Sequence, residues 1–326
     1  MDAPIRIHDE VASALREGRP VVALETAVLT HGLPRQPAPE LVAVADALWQ
    51  ADAPAHLALA RAMERAVREA GAVPATMAVL EGRLCAGLSP QELDRLGMDR
   101  GARKLSSRDL GPALAAGASG GLTVAATLTA CRLAGVRTFA TGGIGGVHRG
   151  FGQSLDISAD LAAIAATRAV VVCAGAKSIL DLPATLEALD THGVPVVGIG
   201  TANFPRFFCP PHASLRCSAS VTDAASLARA AVAHWSLGHA QGVLAVQACP
   251  GPFQMPQTDF EAAYDAASAR MALEGVSGPE VTPFLLGELA RQTGGRSLRG
   301  NVALLLQNAR TAAGIARGLL DLGPST

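Results

Sequence analysis

The stretch V-V-V-C-A-G-A-K-S-I-L-D-L-P (170–183) opens with four apolar residues, three of them β-branched. A short apolar run bounded by small residues reads as a buried strand. Ala174, Gly175 and Ala176 form a small-residue turn, and Lys177 then opens a helical stretch that runs to about Thr191. This order sets a primary amine at the carboxyl end of a strand, where open α/β sheets hold their ligands. Burial and neighbouring charge can lower an amine's pKa enough to make it a nucleophile toward sugar or carbonyl carbons. A lone lysine at a helix start is ordinarily a solvated surface group, so the segment alone leaves both readings open.

Outward from this stretch the same alternation recurs. Strands are expected at 20–24, 75–80, 138–141, 170–173, 194–199 and 243–246. Helices are expected with their clearest part at 56–70, then at 123–133, 158–167 and 224–236. Three helices close the chain, at 258–274, 283–293 and 300–320. Strands alternating with helices imply a largely parallel sheet covered on both faces. The expected class is therefore a three-layer α/β/α fold with additional C-terminal helices. The loop P-R-Q-P-A-P (34–39) is proline-rich but short. There is no repeat, low-complexity linker or charge block, so the chain reads as one catalytic domain over 1–326.

Composition narrows the function. With 326 residues, 49% of them hydrophobic, the chain can bury a large core. A net charge of -1 argues against nucleic-acid or polybasic membrane binding, and 3% aromatics leave few platforms for stacking bases. Six scattered cysteines without C-x-x-C or zinc spacing fit reduced thiols in a cytoplasmic protein. The N-terminal residues lack an apolar signal core, and no apolar run reaches membrane-spanning length.

Four segments carry chemistry. In V-V-A-L-E-T-A-V-L-T-H-G-L-P (21–34), Glu25 ends an apolar run. Desolvation there would raise its pKa and suit it to general-acid work; a glutamate in a surface loop is the equal alternative. T-G-G-I-G-G-V-H-R-G (141–150) has four glycines in six residues, so its backbone N–H groups can cradle phosphate. The adjacent His148 and Arg149 suit an anion as well. It is neither a Walker loop nor a dinucleotide fingerprint. In L-D-I-S-A-D-L (155–161), Asp156 and Asp160 offer hard oxygens to Mg²⁺ or Mn²⁺, yet spacing alone favours a helix cap at Ser158 or Asp156. In A-R-K-L-S-S-R-D-L (102–110), Lys104 and Arg108 stand four apart beside Asp109, by default a solvated ion-paired face. A second lysine close to Lys177 would depress an amine pKa.

Taken in order, V-V-A-L-E-T with T-H-G-L-P, G-A-V-P-A-T, K-L-S-S-R-D-L, A-T-G-G-I-G-G-V-H-R-G, D-I-S-A-D-L, V-V-C-A-G-A-K-S-I-L-D-L, T-P-F-L-L and T-G-G-R-S-L-R-G-N resemble the pseudouridine-5′-phosphate glycosidase family, which includes the indigoidine-cluster A proteins. The resemblance implies cleavage of the C–C glycosidic bond of a small molecule, pseudouridine 5′-phosphate, to uracil and ribose 5-phosphate with a divalent metal, typically Mn²⁺. It implies Lys177 as nucleophile, Glu25 as proton donor and Asp156 as metal ligand. Lys104, Val124, Ser158, Ala159 and Asp160 are implied substrate contacts, with Thr141, His148 and Asn301 as further pocket residues. It also implies a homotrimer of α/β/α subunits. An acid can open the ribose ring at its oxygen, and lysine attack at C1′ then gives an imine that lets the bond to uracil C5 break once C5 is protonated. Another phosphosugar lyase, an N-glycosidase using the same lysine, and a non-catalytic nucleotide sensor are the alternatives. The chain departs from the family pattern in a longer 35–60 segment, in Ser107, and in V-Q-A-C-P (246–250).

Overall fold

The valine-rich runs form a parallel ladder. The computed structural model describes residues 5–276, 278 and 281–323; residues 1–4, 277, 279–280 and 324–326 of the expected 1–326 domain lie outside the described residues. Across the parallel part of the sheet the order is Val73–Leu80, Val21–Leu24, Thr138–Ala140, Val170–Cys173, Val243–Val246, Val196–Ile199 and Ala219–Val221. Every residue of Val21–Leu24, Val73–Leu80, Val170–Cys173 and Val243–Val246 is buried. That is what strands covered on both faces require, and it is why they read as unbroken apolar runs rather than alternating ones.

Beyond Val73–Leu80 the sheet turns mixed. Arg83–Ala86 pairs antiparallel to it, Arg6–Ile7 adds an outer parallel strand, and Arg103–Leu105 with Gly120–Leu122 branch from its far end. These short strands, and the helices Asp9–Arg16, Pro90–Met98 and Ser107–Ala115, are additions to the elements read from sequence.

Arg296–Asp321 packs along Val21–Leu24, Thr138–Ala140 and Val170–Cys173, flanked by Ala55–Glu69 and Ala224–Ser236. Val124–Ala134 packs with Ala159–Ala165 and Ser107–Ala115 to form the second helical layer. The fold is three-layered α/β/α, as expected. Local signals fix the helix ends. Asp223 caps Ala224–Ser236 through Ser226 N–H at 2.7 Å, and Gly135, at φ 75°, ends Val124–Ala134 in the left-handed region.

The helix expected from Lys177 begins later, at Leu182–Thr191. Asp181 accepts from Ala184 N–H at 3.0 Å and Pro183 occupies the first turn, so the helix start signal is D-L-P rather than the lysine. Lys104 and Arg108 share no helix face: Lys104 is in strand Arg103–Leu105, and Arg108 is in the following helix. The longer 35–60 segment folds into short helical turns over 39–48 and then enters the helix Ala55–Glu69. Trp49 is buried there and donates Nε1–H to Ala38 O at 3.0 Å. Among the described residues all six cysteines are free and no helix is long and apolar enough to cross a membrane.

Candidate active site

The sheet's connectivity makes one crevice. From Val21–Leu24 the chain moves to Val73–Leu80 and its neighbours on one side, and the parallel strands from Thr138–Ala140 onward lie on the other. The strand order therefore reverses between Val21–Leu24 and Thr138–Ala140, where open α/β sheets leave a cleft at their carboxyl ends. Leu24 stands opposite Ala140 in register, so Glu25 and Thr141 emerge side by side. Thr141 Oγ1 donates to Glu25 Oε1.

The loop after Thr138–Ala140 and the loop after Val170–Cys173 are laced together. Ile144 N–H bonds Gly175 O at 3.1 Å, and Lys177 N–H bonds Ile144 O at 3.1 Å. Val147–His148 then pairs antiparallel with Leu180–Asp181. Gly175 is at φ 80°, with Pro205 O lying where a Cβ would stand; no other residue fits so close a backbone approach. Lys177 is thereby held in a turn, closed by Leu180 N–H to Lys177 O at 3.0 Å, with its side chain half-buried in the cleft.

Two compartments meet at Glu25, Lys104, Lys177 and Thr282, which line both. The first adds Ser106, Thr123, Val124, Gly145, His148, Ser158 and Asp160. Thr123 and Val124 form the N-terminus of an eleven-residue helix, a natural anion site. Thr123 Oγ1 is buried with no hydrogen-bond partner among the described residues. The second compartment is largely apolar, walled by Val28, Phe207, Pro283, Leu286 and Leu305; His31 and Asn301 are its own polar side chains.

Burial is the main influence on Glu25 and raises its carboxyl pKa; the Lys177 charge, the Thr141 bond and Lys104 oppose the rise, and Asp160 adds to it. Glu25 keeps some exposure because it lines the cavity, yet protein encloses it on its other sides. Burial also lowers the pKa of His148, against the pull of Asp156 and with the push of Lys177 and Lys104. Both lysines thus act on the acid and on the histidine.

The structure redistributes several expected roles. The glycine-rich loop does not present a free cradle of N–H groups. Ile144, Gly145, Val147 and His148 spend theirs on Gly175 O, Asp160 Oδ2, Thr185 Oγ1 and Asp156 O. Arg149 turns away from the cleft, bonded to Glu261 at 3.0 and 3.2 Å and lying 4.2 Å over the Tyr264 ring. Ser158 is the helix cap that spacing favoured, accepting from Asp160 N–H at 3.2 Å. Ala159 is exposed in the first turn and lines neither compartment. The Asp160 carboxylate is buried and braces two elements, accepting from Ala125 N–H at 3.0 Å and Gly145 N–H at 2.8 Å. Lys104, Val124, Ser158 and His148 line the polar compartment, while Asn301 lines the apolar one. His31, Phe207 and Thr282 are lining residues that the sequence reading did not single out.

Asp156 is exposed outside both linings, 3.8 Å from His148 Nδ1. No group of three His, Cys, Asp or Glu side chains that could hold a metal occurs among the described residues. A lone exposed carboxylate suits only a hydrated ion that keeps most of its waters, as Mg²⁺ does.

The sequence profile described as "Indigoidine synthase A like protein" matches residues 10–318. The chain belongs to this family. Proteins named pseudouridine-5′-phosphate glycosidase are 44% identical in Deinococcus radiodurans, covering 97% of this chain and 95% of theirs. The relative in Chloroflexus aurantiacus is 46% identical, covering 98% of this chain and 100% of its own. The one in Escherichia coli is 43% identical, covering 96% and 95%. Among solved structures, the prealnumycin C-glycosynthase AlnA in complex with ribulose 5-phosphate superposes with a TM-score of 0.84 at 37% identity over 99% of both chains. An indigoidine synthase A-like protein from Thermotoga maritima gives 0.82 at 32% identity over 97% and 96%.

Proposed function

We propose that this family member cleaves the C–C glycosidic bond of pseudouridine 5′-phosphate, giving uracil and ribose 5-phosphate through a covalent adduct on Lys177. The observation that carries the reading is the meeting of the Lys177 amine and the largely enclosed Glu25 carboxyl, with Lys104 beside them, where a polar, anion-suited compartment joins an apolar one. The names of the relatives support it, as does the phosphosugar held by the related C-glycosynthase.

In this reading the phosphate occupies the polar compartment, against the helix end at Thr123 and Val124 with Lys104, Ser106, Ser158 and His148 around it. The base lies in the apolar compartment against Asn301. Glu25, whose protonated form burial favours, gives its proton to the ring oxygen as the C1′–O4′ bond breaks. The Lys177 amine bonds to C1′ and its surplus proton returns to Glu25. Glu25 then protonates uracil C5. The C1′–C5 bond breaks with its electron pair left on the base, while the nitrogen lone pair closes C1′=N. Water adds to C1′ and expels Lys177, so substrate plus one water gives the two products. Thr141 orients the acid, and Asp160 holds the helix end and the glycine loop in place.

A divalent ion such as Mn²⁺ would be held by Asp156, with His148 beside it, and when bound would offset phosphate charge. The homotrimer, the cytoplasmic location and the reading of the chain as one catalytic domain belong to the same proposal, on the family resemblance.

Purified protein incubated with pseudouridine 5′-phosphate and Mn²⁺ should release uracil and ribose 5-phosphate in equal amounts, measured by chromatography. Uridine 5′-phosphate in a parallel reaction distinguishes an N-glycosidase. Turnover of the N-linked nucleotide alone, or tight binding of pseudouridine 5′-phosphate without any product, would overturn the proposal.

A further inference from the structure

Resting on the proposed reaction and deepening it, we infer that Asn308 is a positioning residue for it. With Gln247 and Thr311 behind it, Asn308 fixes the Thr141 main chain and, through Thr141, the orientation of the Glu25 carboxyl. Asn308, Gln247 and Thr311 line neither compartment of the cleft.

The observations form one directed chain of hydrogen bonds. Asn308 is fully buried on the helix Arg296–Asp321, two turns beyond Asn301 and among the buried Leu304, Leu305 and Ala312 of its own helix. An amide in such a place costs free energy unless its polar atoms are paired. The Thr141 carbonyl can only accept, so Asn308 Nδ2, 2.8 Å away, donates to it. That orientation turns Asn308 Oδ1 to Gln247 Nε2, which donates at 2.8 Å. Gln247 Oε1 in turn accepts from the Thr311 hydroxyl at 3.1 Å. One backbone carbonyl thus sets the direction of both amides, and each supports the next.

At the near end every polar group of Thr141 is engaged. Its N–H bonds Val172 O at 3.0 Å, its carbonyl accepts from Asn308, and its hydroxyl donates to Glu25. Beyond Thr141 the chain leaves the sheet for the glycine loop, so strand pairing holds the residue on one side and Asn308 holds it on the other. The same helix presses on the next residue: a Cβ on Gly142 would stand 3.2–3.3 Å from Leu305, Asn301 and Leu304. A shift of this peptide moves the hydroxyl that orients the acid, and a misplacement of about 1 Å costs on the order of 100-fold in rate. Gln247 stands in V-Q-A-C-P, where the chain departs from the family pattern. That part of the departure therefore acts behind the acid's hydrogen-bond donor and not in either compartment.

The test compares two variants. Asn308→Leu is similar in size and removes the amide. Gln247→Met keeps Asn308 and removes only its support, so a folded variant remains if the first unfolds; circular dichroism establishes folding. The Glu25 carboxyl is titrated directly by difference infrared spectroscopy, its band assigned by its absence from Glu25→Gln. Lys177, Lys104 and Asp160 face Glu25, with His31 and His148 in the two compartments, and neither substitution removes any of them. The Thr141 hydroxyl favours the Glu25 anion, so loosening it should raise the Glu25 midpoint, more in Asn308→Leu than in Gln247→Met. On a Thr141→Val background the same substitutions should add no further shift. With pseudouridine 5′-phosphate, kcat should fall roughly 10–100-fold at nearly unchanged KM. A folded variant whose midpoint stays in place, or shifts equally on the Thr141→Val background, would overturn the inference, as would a raised KM at unchanged kcat. If the midpoints move as expected but the unsubstituted protein releases no uracil, the proposed reaction fails and the positioning of Glu25 by Asn308 stands.

Discussion

Replacing Asp160 by asparagine separates a brace from a ligand. The Asp160 carboxylate is buried and accepts from Ala125 N–H at 3.0 Å and Gly145 N–H at 2.8 Å. It thus joins the first turn of Val124–Ala134 to the glycine loop that carries the cleft's far wall. Asparagine keeps one acceptor oxygen and turns an N–H₂ group toward the other amide. One charge-assisted bond becomes neutral and one buried donor loses its partner. Hydrogen bonds to charged groups are worth about 1.5–3 kcal/mol, and an unpaired buried donor costs about 1–3 kcal/mol. The expected loss is about 2–4 kcal/mol, a large share of the roughly 5–15 kcal/mol that holds a domain folded. Equilibrium urea unfolding followed by circular dichroism measures it as a lowered midpoint at unchanged slope. Unfolding within about 0.5 kcal/mol of the parent, together with a raised KM, would refute the bracing argument and make Asp160 a substrate ligand, as the family resemblance implied.

Three further outcomes follow from the same geometry. Glu25→Gln should abolish turnover yet raise the thermal midpoint at neutral pH. The folded protein holds the Glu25 proton more tightly than the unfolded chain does, so stability falls as pH rises from the ordinary carboxylate range toward the folded pKa. The gain should vanish in acid, where the carboxyl is neutral in both states; calorimetry across pH tests this, and an acid-independent gain contradicts it. Thr141→Val removes a donor that favours the Glu25 anion, so the basic limb of the kcat/KM profile should move to higher pH; a limb that stays or moves down contradicts it. Asp156→Ala should weaken the response to added Mn²⁺ and to chelator, and unchanged chelator sensitivity would remove Asp156 as the metal's holder.

The strands that frame the cleft were legible because they are buried on both faces. Val170–Cys173 and Val243–Val246 match the expected runs residue for residue, and the helix Ala224–Ser236 does too. Arg103–Leu105 and Gly120–Leu122 were not legible, since one begins with two basic residues and the other with two glycines. Gly121 is glycine because a side chain there would strike Thr26 O and Thr30 Oγ1, a contact between segments about ninety residues apart that no local pattern reveals. The place of Lys177 beyond the carboxyl end of a strand was legible, but its local geometry was not. Its turn is set by pairing with Ile144, while the cap that starts the next helix lies in D-L-P.

The glycine loop shows the opposite error. Four glycines suggested N–H groups free for phosphate, whereas they are needed for close packing: a Cβ at Gly145 would meet Ser158 and Asp160, and one at Gly146 would meet Thr185. Arg149 looked anion-binding until Glu261 and Tyr264, more than a hundred residues on, were seen to hold it. His31 escaped notice because a π-helix has no 3.6-residue rhythm to betray its face.

The central claim is a covalent bond between Lys177 and the sugar. Protein turning over pseudouridine 5′-phosphate, quenched with borohydride, digested and analysed by mass spectrometry, should carry a reduced ribose 5-phosphate adduct on the peptide containing Lys177, and Lys177→Ala should show neither adduct nor uracil. Uracil released at an undiminished rate by Lys177→Ala, or an adduct found on Lys104 instead, would contradict the account.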